Sequence, residues 1–147
     1  MERGYAVHPV GVVRSAHADA RSVPGAGVPA EIHVEEAYAP GLEGLEASTH
    51  LFVLAFLDRA RRDLLVVHRP GEGAGPRRGV FATRCNSRPN PIGLHVAKLV
   101  ALDAEAGSLT LDAIDALDGT PVVDIKPYFA SIDSFPDAAP PRHRDAP

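Results

Sequence analysis

Apolar and polar positions alternate over short segments of the chain, a pattern that is typical of β-strands. In residues 30–36, Ile32 and Val34 alternate with charged or polar neighbours, so one side of this predicted strand is buried and the other, with His33, faces solvent. Residues 50–57 (HLFVLAFL) form the most apolar run and predict the main core strand.

Other short segments predict the remaining strands and their connections. Residues 5–14 contain Pro9 and Gly11, which favours an edge strand or a bulged strand. Residues 94–102 and 108–114 predict a hairpin with its turn at residues 103–107. Further strands are predicted at residues 64–67 and 122–125, loops at residues 15–29 and 68–78, and one or two helical turns at residues 39–47.

Short strands separated by many turn residues indicate an antiparallel sheet that closes, or nearly closes, on itself. No Gly-x-Gly-x-x-Gly motif follows the first strand, and no long helices alternate with strands, which argues against a Rossmann fold. The sequence therefore predicts a mainly β protein, a small antiparallel barrel with short helical turns, in one domain of residues 1–133. The proline-rich tail, residues 134–147, is expected to be loosely attached.

Residues 79–94 (GVFATRCNSRPNPIGL) contain the most unusual local sequence. Residues 80–83 predict the end of a strand, and the two prolines that follow, Pro89 and Pro91, each fix a backbone angle and remove a donor. Each proline also holds the residue before it extended, so a stiff loop is expected. Arg84, Arg88 and Asn90 are then candidate site residues, the alternative being a tight surface turn.

Composition limits the class of protein. The chain has 147 residues, 45% of them apolar, and no apolar run long enough to cross a membrane, so a single soluble domain is expected. We see no secretory signal, and the lone Cys85 excludes an internal disulfide and fits a reducing cytoplasm.

The charge is unevenly distributed. The net charge is −4, yet a basic block lies between positions 59 and 88, opposed only by Asp63 and Glu72. Its members are Arg59, Arg61, Arg62, Arg69, Arg77, Arg78, Arg84 and Arg88. The planar guanidinium suits phosphate or carboxylate recognition, so this block predicts either nucleic-acid contact or a solvated surface.

Residues 112–128 (DAIDALDGTPVVDIKPY) are rich in aspartate. The spacing differs from that of calcium loops, and the seven histidines show no pair at metal-ligand spacing, so no metal site is expected. Asp118-Gly119 is a turn dipeptide, which leaves a structural role open for Asp118. The functional alternative is a carboxylate that faces a cationic ligand, a ribose hydroxyl or an N–H proton.

Four short sequences resemble those of the TsaA-like family. In chain order they are YAPGLEGLE, GVFATR, RPNPIGL and DALDGTPVVDIKPY. The characterised bacterial members of this family are tRNA methyltransferases that use S-adenosylmethionine to methylate N6 of threonylcarbamoyladenosine beside the anticodon. The resemblance implies a non-Rossmann β-barrel that binds S-adenosylmethionine and works as a cytoplasmic homodimer, with the cofactor near the subunit interface and tRNA as partner.

The resemblance also implies site residues. By position, the cofactor contacts are Arg84, Leu94, Asp58, Arg59 and the segment Asp115, Ala116, Leu117 and Asp118. Arg88, Asn90 and Lys126 match further signature positions; we expect Arg88 and Asn90 at the cofactor and Lys126 at the RNA. The other expected RNA contacts are Arg61, Arg62, Arg69, Arg77 and Arg78. Where members often carry Ser-Pro and a Ser or Thr, this chain has Cys85-Asn86 and His95.

Methyl transfer from a sulfonium is an in-line displacement, so positioning supplies most of the catalysis. The acceptor nitrogen is conjugated to a carbonyl and is a poor nucleophile. We therefore expect Asp118, or else Asp58, to assist proton removal. Two alternatives are a methyltransferase for a small molecule and a non-catalytic module that binds S-adenosylmethionine or a nucleoside.

Overall fold

Six antiparallel strands form a closed barrel, and two more form a separate two-stranded sheet. The structure, a computed structural model, describes residues 3–18, 27–68 and 77–139. The strands are β1 (Gly11–Arg14), β2 (Val28–Val34), β3 (His50–Phe56), β4 (Val66–His68), β5 (Arg77–Gly79), β6 (Ile92–Asp103), β7 (Ser108–Ile114) and β8 (Pro121–Pro127). Around the barrel the order is β1, β2, β7, β6, β3, β8, and β4 pairs with β5.

Helices are few and short. The 3₁₀ helices are Glu36–Leu42, Leu45–Ala47 and Val80–Ala82, and the α-helix α1 is Ala130–Asp133. In the described ranges no helix exceeds seven residues, and none has the length and apolar character that crossing a bilayer requires. The expected mainly β barrel with short helical turns is therefore confirmed.

Alternate residues of the strands point into the barrel and form its core. Among the described residues, the completely buried apolar side chains of the strands are Val13, Ile32, Leu51, Val53, Ala55, Leu109, Leu111 and Val122. Burial of one such side chain contributes about 1.5 to 3 kcal/mol, so the two-residue period of the pattern fixes which face each strand turns inward. On β6 the inward series includes Gly93, His95 and Ala97, opposite Ala55, Val53 and Leu51 of β3.

Two strand predictions were wrong. Residues 5–10 are not a strand: pairing starts where the Val10 N–H donates to Val122 O, because Pro9 before it has no N–H to donate. Nor is β1 an edge strand, since it pairs with β2 on one side and β8 on the other. Residues 80–83 do not end a strand either; Val80–Ala82 is a 3₁₀ helix, because the Val80 carbonyl accepts hydrogen bonds from within the loop instead of from a neighbouring strand.

The other elements lie close to their predicted positions. The hairpin β6–β7 and the core strand β3 are confirmed, and β4 lies two residues later than expected. Of the predicted loops, residues 19–26 and 69–76 lie outside the described residues, and Arg77–Gly79 is a strand. Residues 134–139 of the predicted tail are exposed, and residues 140–147 lie outside the described part, so the division at residue 133 stays a prediction.

Two turn glycines give a matched test of backbone strain. Gly107 (φ +68°) and Gly44 (φ +83°) both adopt a left-handed conformation, but a Cβ on Gly107 would lie 2.9 Å from Val34 O, whereas Gly44 has no atom within 4 Å of its Cβ position. We expect Gly44→Ala to cost roughly 1 to 2 kcal/mol and Gly107→Ala about 1 to 3 kcal/mol more. Urea unfolding of both variants checks this; equal losses would contradict it.

Candidate active site

Two adjoining cavities lie where three loops meet: the loop after β3, the proline loop of residues 83–91, and the segment after β7. The first cavity, of about 610 Å³, is lined by Leu57, Arg88, Asn90 and residues 83–86, 92–96 and 113–115. The second cavity, of about 240 Å³, is lined by residues 57–60, 86–87 and 115–117 and by Thr120. Leu57, Asn86 and Asp115 line both, so the two cavities form one continuous candidate site.

The proline loop is held by its own arginine. The Arg88 guanidinium donates to Val80 O at 3.3 Å, Thr83 O at 3.3 Å and Cys85 O at 3.1 Å, and its backbone N–H donates to Arg61 O. Three hydrogen bonds from one rigid fork fix the path of the chain around it. The loop ends at the buried Pro91, whose carbonyl accepts from the Leu57 N–H at 2.8 Å. These hydrogen bonds support the expectation of a stiff loop.

Arg84 connects this loop to the beginning of β6. Its Nη2 donates to Leu94 O at 3.0 Å, so two residues predicted to contact the cofactor are joined directly. Both line the first cavity, together with Asn90 and Asp115. The exposed Arg84 guanidinium and the exposed Asp115 carboxylate place charges of opposite sign in one cavity, which suits a ligand that carries both.

The segment of residues 115–118, here named the aspartate turn, lies against the loop after β3. Arg59 Nη2 donates to Asp118 O at 3.2 Å and Nη1 donates to Ala18 O at 3.1 Å, which ties this turn to the end of β3. Asp58, Arg59, Asp115, Ala116 and Leu117 all line the second cavity. Asp115 lines both cavities together with residues of the proline loop, so the proline loop and the aspartate turn border the same site.

Asp118 itself lines neither cavity. Its Oδ1 accepts the Ser15 N–H at 3.0 Å, and its own N–H donates to His17 O at 2.7 Å. The carboxylate thus holds the segment after β1 against the turn, which is the structural role left open by the Asp118-Gly119 dipeptide.

His95 lines the first cavity but was not among the site residues predicted from the sequence, where it is only a departure from the family pattern. Its Nε2 is buried and makes no hydrogen bond, and it lies 2.6 Å from the position that a Cβ on Gly93 would take. Burial lowers the pKa of His95, the Asp115 carboxylate raises it and the Arg84 charge lowers it. No rule of sequence spacing identifies His95 as a site residue. Its position depends on Gly93, which has no side chain and lies two residues earlier on the same face of β6.

The predicted RNA-binding residues are spread over the surface. Arg61 pairs with Asp63 through two hydrogen bonds, of 3.0 and 2.7 Å, and this contact lowers the pKa of Asp63. Arg62 donates to Pro89 O at 2.9 Å and lies over the Phe56 ring. Lys126 forms an ion pair with Asp124 on β8. Arg77 and Arg78 lie on β5, and Arg69 lies outside the described residues.

Among the residues that the structure describes, no group of three or more His, Cys, Asp and Glu side chains is arranged to hold a metal ion. The charged groups of the two cavities are Asp58, Arg59, Arg84, Arg88 and Asp115. The arrangement can therefore bind a charged organic ligand through arginine, carboxylate and backbone groups.

Comparison with protein families gives a match over most of the chain. Residues 12–134 match the tRNA-methyltransferase O N-terminal domain. The chain belongs to this family. The expected family membership is thus confirmed, and the matched region begins at β1 and ends just after α1.

Relatives in the tRNA-methyltransferase O family include shorter and longer proteins. A probable S-adenosyl-L-methionine-binding protein of Methanothermobacter thermautotrophicus is 44% identical over 88% of this chain and 93% of its own length. The tRNA (adenine(37)-N6)-methyltransferase of Escherichia coli K12 is 37% identical over 94% of this chain. The solved structure of TrmO from Pseudomonas aeruginosa matches 94% of this chain with a TM-score of 0.76 and 33% identity. The chain spans 63% of the length of the E. coli protein and 62% of the P. aeruginosa chain.

Proposed function

We propose that this protein is an S-adenosylmethionine-dependent methyltransferase that acts in the cytoplasm on N6 of threonylcarbamoyladenosine beside the tRNA anticodon. The observation that carries the proposal is that three of the family's sequences meet at one site: Arg84 of GVFATR and Leu94 of RPNPIGL line the same cavity as Asp115 of DALDGTPVVDIKPY. The E. coli relative, named a tRNA (adenine(37)-N6)-methyltransferase, and the M. thermautotrophicus relative, named a probable S-adenosyl-L-methionine-binding protein, support methyl transfer to tRNA adenine and the cofactor.

The residues of the two cavities fit this cofactor. The volumes of the two cavities, about 610 and 240 Å³, lie within and slightly below the range of small-ligand sites. Arg84 would hold the carboxylate of the amino-acid part, and Asp115 would hold an amino group or the ribose hydroxyls, since these are the charges and lone pairs that such groups need. When bound, the cofactor supplies an electrophilic methyl group on a sulfonium.

The protein contributes to the reaction mainly by positioning. Arg88 fixes the proline loop, Arg59 fixes the aspartate turn, and both loops border the cavities. Holding two reacting groups aligned can supply roughly 7 to 11 kcal/mol of the barrier. For proton removal from the acceptor nitrogen we assign Asp58, because Asp58 lines the second cavity whereas the Asp118 carboxylate is used by the Ser15 N–H.

Incubation of the purified protein with methyl-labelled S-adenosylmethionine and tRNA tests the function. We expect label in the nucleoside N6-methyl-threonylcarbamoyladenosine after digestion and mass spectrometry. A tRNA transcript without the threonylcarbamoyl group is the matched control and should take up no label. In a parallel incubation with a small-molecule extract of cells, label in a small metabolite but not in tRNA would favour the small-molecule methyltransferase, and binding of the cofactor without any transfer would favour the non-catalytic module.

A second copy of the chain is proposed to cover the outer face of β6. Ile92, Leu94 and Val96 are 47%, 49% and 51% exposed although they are apolar, and all three line the first cavity. An apolar face of this kind is a candidate interface, and a second copy seated on it would complete the wall of the cavity. This would place the cofactor near the subunit interface.

Val96→Asp should therefore convert a dimer into a monomer and weaken cofactor binding at the same time, because a buried charge at an interface costs far more than it contributes. Light scattering gives the mass and calorimetry the affinity. Leu65→Asp, at an exposed apolar position in the segment between β3 and β4, is the control and should change neither. A wild-type protein that is monomeric at all concentrations would refute the dimer.

The arginines predicted to contact RNA, here named the arginine surface, are proposed to bind the phosphates of the anticodon stem. They are Arg61, Arg62, Arg69, Arg77 and Arg78. Arg61 and Arg77 are exposed, and tRNA binding by such residues releases counterions, so affinity should fall steeply with salt. Arg61→Gln and Arg77→Gln should each reduce the slope of log affinity against log salt by about one. Arg14→Gln, at an exposed position on β1, is the control and should leave the slope unchanged; a salt-independent wild type would exclude this surface.

A further inference from the structure

His95 carries a polar atom that the protein itself leaves without a partner. Its Nε2 is inaccessible to solvent and makes no hydrogen bond, although His95 belongs to the wall of the first cavity. Buried polar atoms in folded proteins are nearly always hydrogen-bonded, so an exception next to a cavity points to a partner that arrives with a ligand.

The packing around His95 depends on Gly93. The Gly93 Cβ position would lie 2.6 Å from His95 Nε2, 3.5 Å from His95 Cδ2 and 3.2 Å from Leu57 Cδ2. The imidazole thus rests over the bare backbone of Gly93, beside a methyl group of Leu57. Only glycine leaves room for the ring here. A half turn of the ring about its bond to Cβ would exchange Nε2 with Cε1 and so move Nε2 away from Gly93.

The surroundings select the kind of ligand group. Leu57 and Gly93 give this end of the cavity an apolar wall, and the two charged groups near His95 are Arg84 and Asp115. Burial lowers the pKa of His95, which keeps the imidazole neutral near neutral pH. A neutral donor and acceptor beside an apolar wall suits a flat, uncharged heteroaromatic ring, whereas Arg84 and Asp115 suit the charged and hydroxylated parts of the same ligand.

We propose that the His95 ring turns so that its Nε2 hydrogen-bonds the edge of the adenine ring of the cofactor in the first cavity, with Gly93 providing the space in which the ring can turn. This rests on the proposed function, since it takes the first cavity as the cofactor site. His95 would then set the preference for adenine over other purines.

Calorimetry with two cofactor products tests the assignment. S-adenosylhomocysteine and S-inosylhomocysteine differ only at the base edge, where an amino group is replaced by a carbonyl. We expect the wild type to prefer the adenosyl compound by roughly tenfold, the value of one neutral hydrogen bond that is made or lost. His95→Leu should bind both compounds with affinities within about twofold of each other, and His95→Asn, which keeps a neutral polar group, should recover part of the preference. His33→Leu, an exposed histidine on β2, is the control and should keep the full preference.

A measurement on the unmodified protein guards against a variant that fails to fold. In ¹⁵N spectra of the histidine side chains, addition of S-adenosylhomocysteine should shift the His95 ring nitrogens more than those of His33. If the compound binds but the His95 signals do not move, or if His95→Leu weakens both compounds equally and keeps their ratio, His95 does not contact the base. If the wild type binds neither compound, the cofactor site in the proposed function falls as well.

Discussion

Arg88→Ala should lower the proposed methyltransferase activity by about 100-fold or more, while the barrel remains folded. Hydrogen bonds from a charged donor contribute about 1.5 to 3 kcal/mol each, and Arg88 makes three to the carbonyls of Val80, Thr83 and Cys85. Their loss frees the proline loop, so Arg84 and Asn90 no longer hold fixed positions at the first cavity. A misplacement of about 1 Å can cost 100-fold in rate.

Matched variants separate this effect from loss of charge. Arg88→Lys keeps the charge but has no planar fork, so we expect it to recover only a small part of the activity. Arg14→Ala, an exposed arginine on β1, should retain full activity. Methyl transfer to tRNA and far-ultraviolet circular dichroism are the two measurements. An Arg88→Ala variant with normal turnover would show that the loop does not need this clamp.

Asp58→Asn should lower turnover by roughly 100- to 10,000-fold while changing cofactor affinity much less, because a general base acts in the transition state. Asp118→Asn is the comparison variant. Its amide oxygen can still accept the Ser15 N–H, so turnover should stay within about threefold of the wild type. Single-turnover methylation and calorimetry measure the two quantities. If Asp118→Asn loses turnover and Asp58→Asn does not, the proton acceptor is Asp118, the first of the two aspartates expected from the sequence.

The barrel could be predicted from sequence because its signal is repeated along the chain. β2, β3, β6 and β7 each alternate or are strongly apolar, and β6 and β7 are joined by a turn, so each strand supports the same conclusion. The segment of residues 80–83 misled for the opposite reason. Val80 and Phe81 favour strands, but the Val80 carbonyl accepts hydrogen bonds from Thr83 and from Arg88, eight residues further on, which strand propensity does not take into account.

The residues of the candidate site that belong to sequence motifs could be predicted, whereas the residue whose position depends on packing could not. The proline loop and the aspartate turn were identified from their own residues, and Asp115 joins them in the structure. His95 was not, since its role depends on the space above Gly93 and on Leu57, three positions that share no sequence motif. Likewise, the contact between Asp118 and Ser15 spans 103 residues and is set by the closure of the barrel.

The seam between β1 and β8 joins the two ends of the described barrel along the chain, since β1 starts at Gly11 and β8 ends at Pro127. During synthesis the first strand must therefore wait for the last one to leave the ribosome before it finds this neighbour. Until then β1 presents unpaired backbone groups along this side, which is a state prone to aggregation. Slow completion of translation near the 3′ end of the message should thus lower the yield of native protein.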